Sequence, residues 1–102
     1  MKTSSYRISK KAVEDLENIW TYTFQKWSLE QADRYYNLII NEFEFIAKNF
    51  NAGKPMDHIR KGYKATVVKS HLIFYRKSSN NQVEIIRILH QKMDIETKIK
   101  EK

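Results

Sequence analysis

The chain has 102 residues, 41% of them hydrophobic and 13% aromatic, with Lys+Arg 19 against Asp+Glu 12 for a formal net charge of +7. That is material for one small domain with a modest core and excludes a disordered chain, while Gly 2 and Pro 1 exclude collagen-like, Pro-rich and loop-dominated all-β architectures. Cys 0 removes disulfides, thiol nucleophiles and thiolate metal sites.

No apolar run approaches the roughly 18 residues of a membrane span. The opening MKTSSYRISKK carries no apolar stretch of a secretion signal, so the expectation is a soluble, cytoplasmic protein with no membrane partner. The charge is one-sided. Residues 1–51 hold seven basic and seven acidic side chains, whereas residues 52–102 hold twelve basic and five acidic. A basic half concentrates polyanions or acidic proteins near it, although lysine also serves plain solubility.

Residues 5–8, SYRI, alternate as a short strand does. Ser9 then stands at a helix N-cap position. Ala12, Val13, Leu16, Ile19, Trp20, Thr23 and Trp27 follow at three- and four-residue steps, which predicts one buried helical face over residues 9–27. Ser28 and Gln31 have capping-box spacing, so a second helix over 29–49 is predicted. Its buried set is Ala32, Tyr35, Tyr36, Ile39, Ile40, Phe43, Ile46, Ala47 and Phe50. Two helices with almost no loop between them make an antiparallel hairpin.

The segment NFNAGKPMD (residues 49–57) holds one of the two glycines and the only proline, and ends the helical part. Beyond it the period falls to two. Residues 62–69, 71–77 and 82–90 read as three strands of an antiparallel meander, turning at Lys69-Ser70 and at SSNN (78–81). Residues 94–102 suit a short terminal helix. Strict alternation puts Val83, Ile85, Arg87 and Leu89 on one face of the last strand and Glu84, Ile86, Ile88 and His90 on the other. Both faces are then partly apolar, and one hairpin covers only one. The second face calls for the terminal segment, another copy of the chain or a partner.

No histidine pair sits at metal-ligand spacing and no Gly-rich phosphate loop is present, so no cofactor or metal is expected. The helical aromatics read most simply as core. One basic constellation remains: Lys64, Lys69, Arg76, Arg87, His90 and Lys92, brought toward one surface by a meander. Such a cluster binds phosphate or carboxylate, and with His90 as general acid or base it would cleave RNA; equally, it is a solvated, lysine-studded sheet edge.

Several segments resemble, in order, the ParE branch of the RelE/ParE toxin superfamily of bacterial type II toxin–antitoxin systems. They are Tyr6-Arg7-Ile8-Ser9 with Ala12, Asp15 and Leu16; Ile19, Tyr22 and Trp27; Gln31-Ala32 with Tyr35; Phe50, Gly53 and Pro55; Ser70 to Arg76; and Ile86 to Asp94, IRILHQKMD. The resemblance implies an α+β fold, with an N-terminal strand and an antiparallel helical hairpin on a small antiparallel sheet, as one toxin domain over residues 1–102. It implies growth inhibition by poisoning of DNA gyrase in its cleaved-DNA complex, without catalysis, restrained by a cognate acidic antitoxin in a hetero-oligomer. The segment tied to toxicity maps to Arg87, His90, Gln91, Lys92, Met93 and Asp94, with Lys64, Lys69 and Arg76 as a basic patch. The antitoxin is expected over Ile73, Tyr75, Ile86 and Ile88 or their opposite-face neighbours. The RelE branch is instead a ribosome-dependent messenger RNA endonuclease, with a Tyr or His near its C-terminus. Here no Tyr follows His90. A non-toxic interaction module is the third alternative.

Overall fold

The computed structural model describes residues 6–100. Strand β1 (Tyr6–Ile8) leads into helices α1 (Lys10–Lys26) and α2 (Leu29–Lys48); a 3-10 turn at Phe50–Ala52 then precedes strands β2 (Lys54–Pro55), β3 (Lys64–Val68), β4 (His71–Lys77) and β5 (Val83–His90) and helix α3 (Ile95–Lys100). Of the strand expected at 5–8, Ser5 lies outside the described residues, as do positions 101 and 102 of the terminal helix.

Both predicted caps close as their residue types dictate. Ser9 accepts from the Ala12 N–H and Ser28 from the Gln31 N–H, each at 3.0 Å, satisfying donors that a helix start leaves unpaired. The five strands run in the order β1-β5-β4-β3-β2. β3, β4 and β5 form the expected meander, β1 lies parallel to β5, and the two-residue β2 is an addition to the expected set.

The hairpin lies on one face of the sheet. Leu16 of α1 and Ile39, Phe43 and Ile46 of α2 pack there against Val68, Ile73, Tyr75, Ile85 and Ile88. Tyr75 donates its hydroxyl to the Phe50 carbonyl at 2.8 Å, fixing the 3-10 turn against the sheet. Gly53 sits where a Cβ would run into the Tyr75 ring.

The other face is covered from within the chain. Tyr63, Ala65, Phe74, Ile86 and Leu89 meet Ile99 of α3, with Met56, Ile59 and Ile95 packed alongside. The terminal segment and the 56–63 loop are therefore the cover that strand alternation demanded.

Alternation itself fails at one point. Lys77, Arg76 and Tyr75 face Val83, Glu84 and Ile85, but Phe74 faces Arg87, so Ile86 is an extra residue in β5. This β-bulge shifts the parity of the strand. Ile85 and Ile88 consequently share the helix-facing core, while Ile86 and Leu89 share the other.

Candidate functional site

β1 ends at Ile8, so β5 beyond Ile85 has no strand on that side. α1 supplies the missing partners. The Ser9 hydroxyl donates to the Ile86 carbonyl at 2.7 Å, and Asp15 accepts from the Ile88 N–H at 3.0 Å. The same carboxylate takes Arg87 in a fork, Nε at 2.8 Å and Nη2 at 3.0 Å. Arg87 also donates through Nη1 to the Lys98 carbonyl at 3.4 Å. Arg87 is only 9% exposed. It is a buried brace among α1, β5 and α3, which corrects its expected place on a target-binding surface.

The next residues behave differently. His90 closes β5 half-buried, and Gln91, Lys92, Met93 and Asp94 are exposed. Gln91 holds the Lys69 carbonyl at 3.0 Å. Asp94 caps α3, accepting from the Thr97 hydroxyl at 2.8 Å.

His71 and His90 are direct cross-strand neighbours, their rings 5.2 Å apart and edge-to-face. The Tyr35 hydroxyl lies 3.0 Å from the Val68 carbonyl and 2.7 Å from His71 Nδ1. The hydroxyl has one proton and gives it to the carbonyl, so His71 Nδ1–H donates to the Tyr35 oxygen and the Nε2 lone pair remains. His90 Nδ1 accepts the Lys92 N–H at 3.1 Å, which places the neutral-state proton on Nε2. Burial, then the neighbouring His90, pull the His71 pKa down to about 4; burial raises that of Tyr35. In these tautomers the cluster offers one acceptor nitrogen, His71 Nε2, and one donor nitrogen, His90 Nε2. With its pKa depressed, His71 is a weak base.

These side chains form the floor of an open groove of about 1050 Å³, between the hairpin and the β4–β5 strand ends. Its walls carry Tyr22 of α1, Trp27 at the C-cap of that helix and Leu38 of α2; its rim carries Lys26, Arg34, Lys69 and Lys92. Trp27 is 69% exposed and Tyr22 61%. The expectation that the helical aromatics are core holds fully at Phe43 but fails at Trp27, the C-cap of α1, and at Phe24 and Tyr36, which are also exposed. Among the described residues Asp15 is the only carboxylate in the lining, and Arg87 already occupies it.

The remaining expected patches do not assemble. Lys64 opens β3, with its ammonium 5.4 Å from the Phe50 ring centre, whereas Lys69 follows the far end of that strand. Arg76 is paired with Glu84 at 3.0 Å. Only Lys69 reaches the groove. The four residues expected under an antitoxin are all inside the chain: Ile73, Tyr75 and Ile88 under the hairpin, Ile86 under α3, none more than 2% exposed. As a surface for a partner on this fold they are corrected, because the hairpin and the terminal helix cover one face each. Among the described residues no cluster of three His, Cys, Asp or Glu forms, and no helix is long and apolar enough to cross a membrane.

Residues 6–95 match the family described as the ParE toxin of type II toxin–antitoxin systems, parDE. The chain belongs to the ParE toxin family. Similar relatives include Toxin ParE1 of Caulobacter vibrioides, 43% identical over 87% of this chain and 91% of its own. Toxin ParE1 of Mycobacterium tuberculosis is 34% identical over 92% of this chain and 96% of its own. Among solved structures the fold is similar to a chain of the chromosomal ParDE toxin–antitoxin system of P. aeruginosa. That match has TM-score 0.74 and 20% identity, and covers 86% of this chain and 96% of that one. It is also similar to a chain of the RelBE2 toxin–antitoxin complex of M. tuberculosis, with TM-score 0.62, 19% identity and coverage of 87% and 99%. The RelE/ParE fold therefore carries the groove and the exposed segment after β5 in a ParE-family chain.

Proposed function

We propose that this chain is the toxin of a type II pair, arresting growth by acting on DNA gyrase in its cleaved-DNA complex, with a cognate acidic antitoxin to neutralise it. The observation that carries this reading is the exposed Gln91–Asp94 segment, which leaves the end of β5 beside an open, basic groove in a ParE-family chain. It is the stretch whose sequence resembles the ParE branch, and its exposed Lys92 side chain can meet acidic protein or DNA phosphate. The action assigned to it is binding. The depressed pKa of His71 makes it a weak base, which suits recognition better than proton transfer. The work is done in the cytoplasm, by one toxin domain.

The antitoxin reading is supported by the neighbours solved as toxin–antitoxin systems. With both sheet faces filled, apolar surface is left on the outer hairpin, at Phe24, Leu29 and Tyr36, 45%, 54% and 40% exposed. An acidic partner suits the chain's positive charge.

The test adds the purified chain to a gyrase supercoiling reaction and, separately, to translating ribosomes. Loss of supercoiling with accumulated cleaved DNA is expected, and Lys92→Glu with Met93→Ala should weaken it. Truncation after Leu89 is unsuitable, since it strips Ile95 and Ile99 from the second core. Intact supercoiling together with fresh cuts in ribosome-bound messenger RNA, abolished by His90→Ala, would replace this reading with that of a RelE-type nuclease.

A further inference from the structure

We infer that the groove is a binding site for single-stranded nucleic acid, with Trp27 and Tyr22 as stacking surfaces and Lys69, Lys92 and Arg34 as phosphate contacts. The inference goes beyond the proposed action on gyrase and does not depend on it. Three observations converge on it.

The first is the alternation of aromatic and cationic groups. α1 and its C-cap bring Tyr22, Lys26 and Trp27 to the groove within about two turns, and both rings stand largely in solvent. A lone apolar groove would take almost any apolar segment. Flat rings interleaved with ammonium and guanidinium groups match a chain that alternates bases with phosphates.

The second is the charge. Lys26, Lys69 and Lys92 make no salt bridge among the described residues, and Arg34 has only the exposed Glu30 at 3.3 Å. Asp15, the one carboxylate of the lining among the described residues, is taken up by Arg87 and the Ile88 N–H. The groove therefore carries three lysines, Lys26, Lys69 and Lys92, without a salt-bridge partner among the described residues.

The third is the floor. His90 offers Nε2–H and His71 an Nε2 lone pair, with no further hydrogen-bond partner for either among the described residues. A donor and an acceptor side by side match the phosphate oxygen and the polar edge of one nucleotide. A bare carboxylate would satisfy only the donor. The same tautomer argues against a metal, because His90 Nδ1 is already occupied by the Lys92 N–H. Duplex fits less well than a single strand, because paired bases offer no open face to Trp27.

The experiment titrates the full chain carrying Trp20→Phe, so that Trp27 is the remaining indole, with a twelve-nucleotide oligo-dT. Trp20 itself stacks on Phe24 and bonds Asp33 outside the groove. Quenching of Trp27 is expected. The log–log salt dependence should have a slope of roughly −1.4 to −2.8, for two to four phosphate contacts on a single strand. Trp27→Ala, read by oligonucleotide anisotropy, should weaken binding roughly 5- to 150-fold, the range of one lost base stack. Lys69→Glu should weaken it and flatten the slope, whereas Lys61→Glu, off the groove, should not. Equal binding of a duplex of the same length would overturn the proposal, and so would an equal loss with Lys61→Glu. Tighter capture of an acidic poly-glutamate peptide with the same quenching would reassign the groove to a polypeptide.

Discussion

Replacing Asp15 by Ala should cost this chain a large part of its stability, for reasons that are local and countable. The carboxylate accepts three hydrogen bonds, two from Arg87 and one from the Ile88 N–H. Both side chains of the pair are nearly covered, 11% and 13% exposed. Asp15→Ala leaves a guanidinium buried without its counter-charge, which typically costs about 3–5 kcal/mol. The orphaned Ile88 N–H accounts for about 1–3 kcal/mol of that. Folded domains hold about 5–15 kcal/mol in all, so the variant should sit close to its unfolding threshold. A double variant, Asp15→Leu with Arg87→Met, removes both charges. It should recover most of the loss and remain about 1–3 kcal/mol below the parent, because the Ile88 N–H still lacks an acceptor. Urea unfolding followed by circular dichroism reads all three from the midpoint at constant slope. A loss below about 1 kcal/mol for Asp15→Ala, or a double variant as unstable as the sum of the single ones, would refute the brace.

Four further outcomes follow from the same geometry. His71 has its pKa held below the ordinary value, so its neutral form is favoured in the fold. Its contribution is intact above about pH 6.5 and is lost as the pH falls toward 4, so the difference in urea midpoint between parent and His71→Asn should shift across that window and stay flat above pH 7. Gly53→Ala drives a methyl group into Tyr75 and should destabilise by about 1–3 kcal/mol, read as a lower melting temperature. Ser9→Ala removes both a helix cap and the bond to the Ile86 carbonyl, and should cost about 1–2 kcal/mol in the same melt. Ile99→Ala should cost about 2–5 kcal/mol if α3 is the cover of the second core, and a neutral effect would mean that something else covers it.

The hairpin and the meander were legible because their signals are local. Ser9 and Ser28 mark helix starts, Pro55 follows the helical part, and Lys69 turns between strands with φ at +56°. The sheet pairing was legible only up to the bulge. The 78–81 turn sets Lys77 opposite Val83, and counting back without interruption would place His71 opposite Leu89. Ile86 is apolar like its neighbours, so nothing in its identity betrays the extra residue. That single slip hid the His71–His90 pair and misassigned the faces of the residues beyond the bulge, Ile88 and Leu89 among them. Arg87 was hard to read for another reason. A cation near the end of a strand ordinarily faces water, and its partner Asp15 lies 72 residues away. A carboxylate among the apolar positions of α1, at the start of a face that also holds Leu16 and Ile19, was the one available hint.

The contacts that hold β1 and α1 against β5 join the two ends of the sequence. The Ser9–Ile86 bond spans 77 residues. Closing a loop of that size costs on the order of 4 kcal/mol of chain entropy, whereas the hairpin and the meander need only short closures. The two local units are thus expected to form first and the seam between them last, with the seam as the expected slow step. During synthesis β5 emerges after the hairpin and the other strands, and it brings His90 and the segment through Asp94 with it. An unfinished chain has neither the seam nor the floor of the groove. Whatever this protein binds there, it acquires the ability only when its last strand has been made.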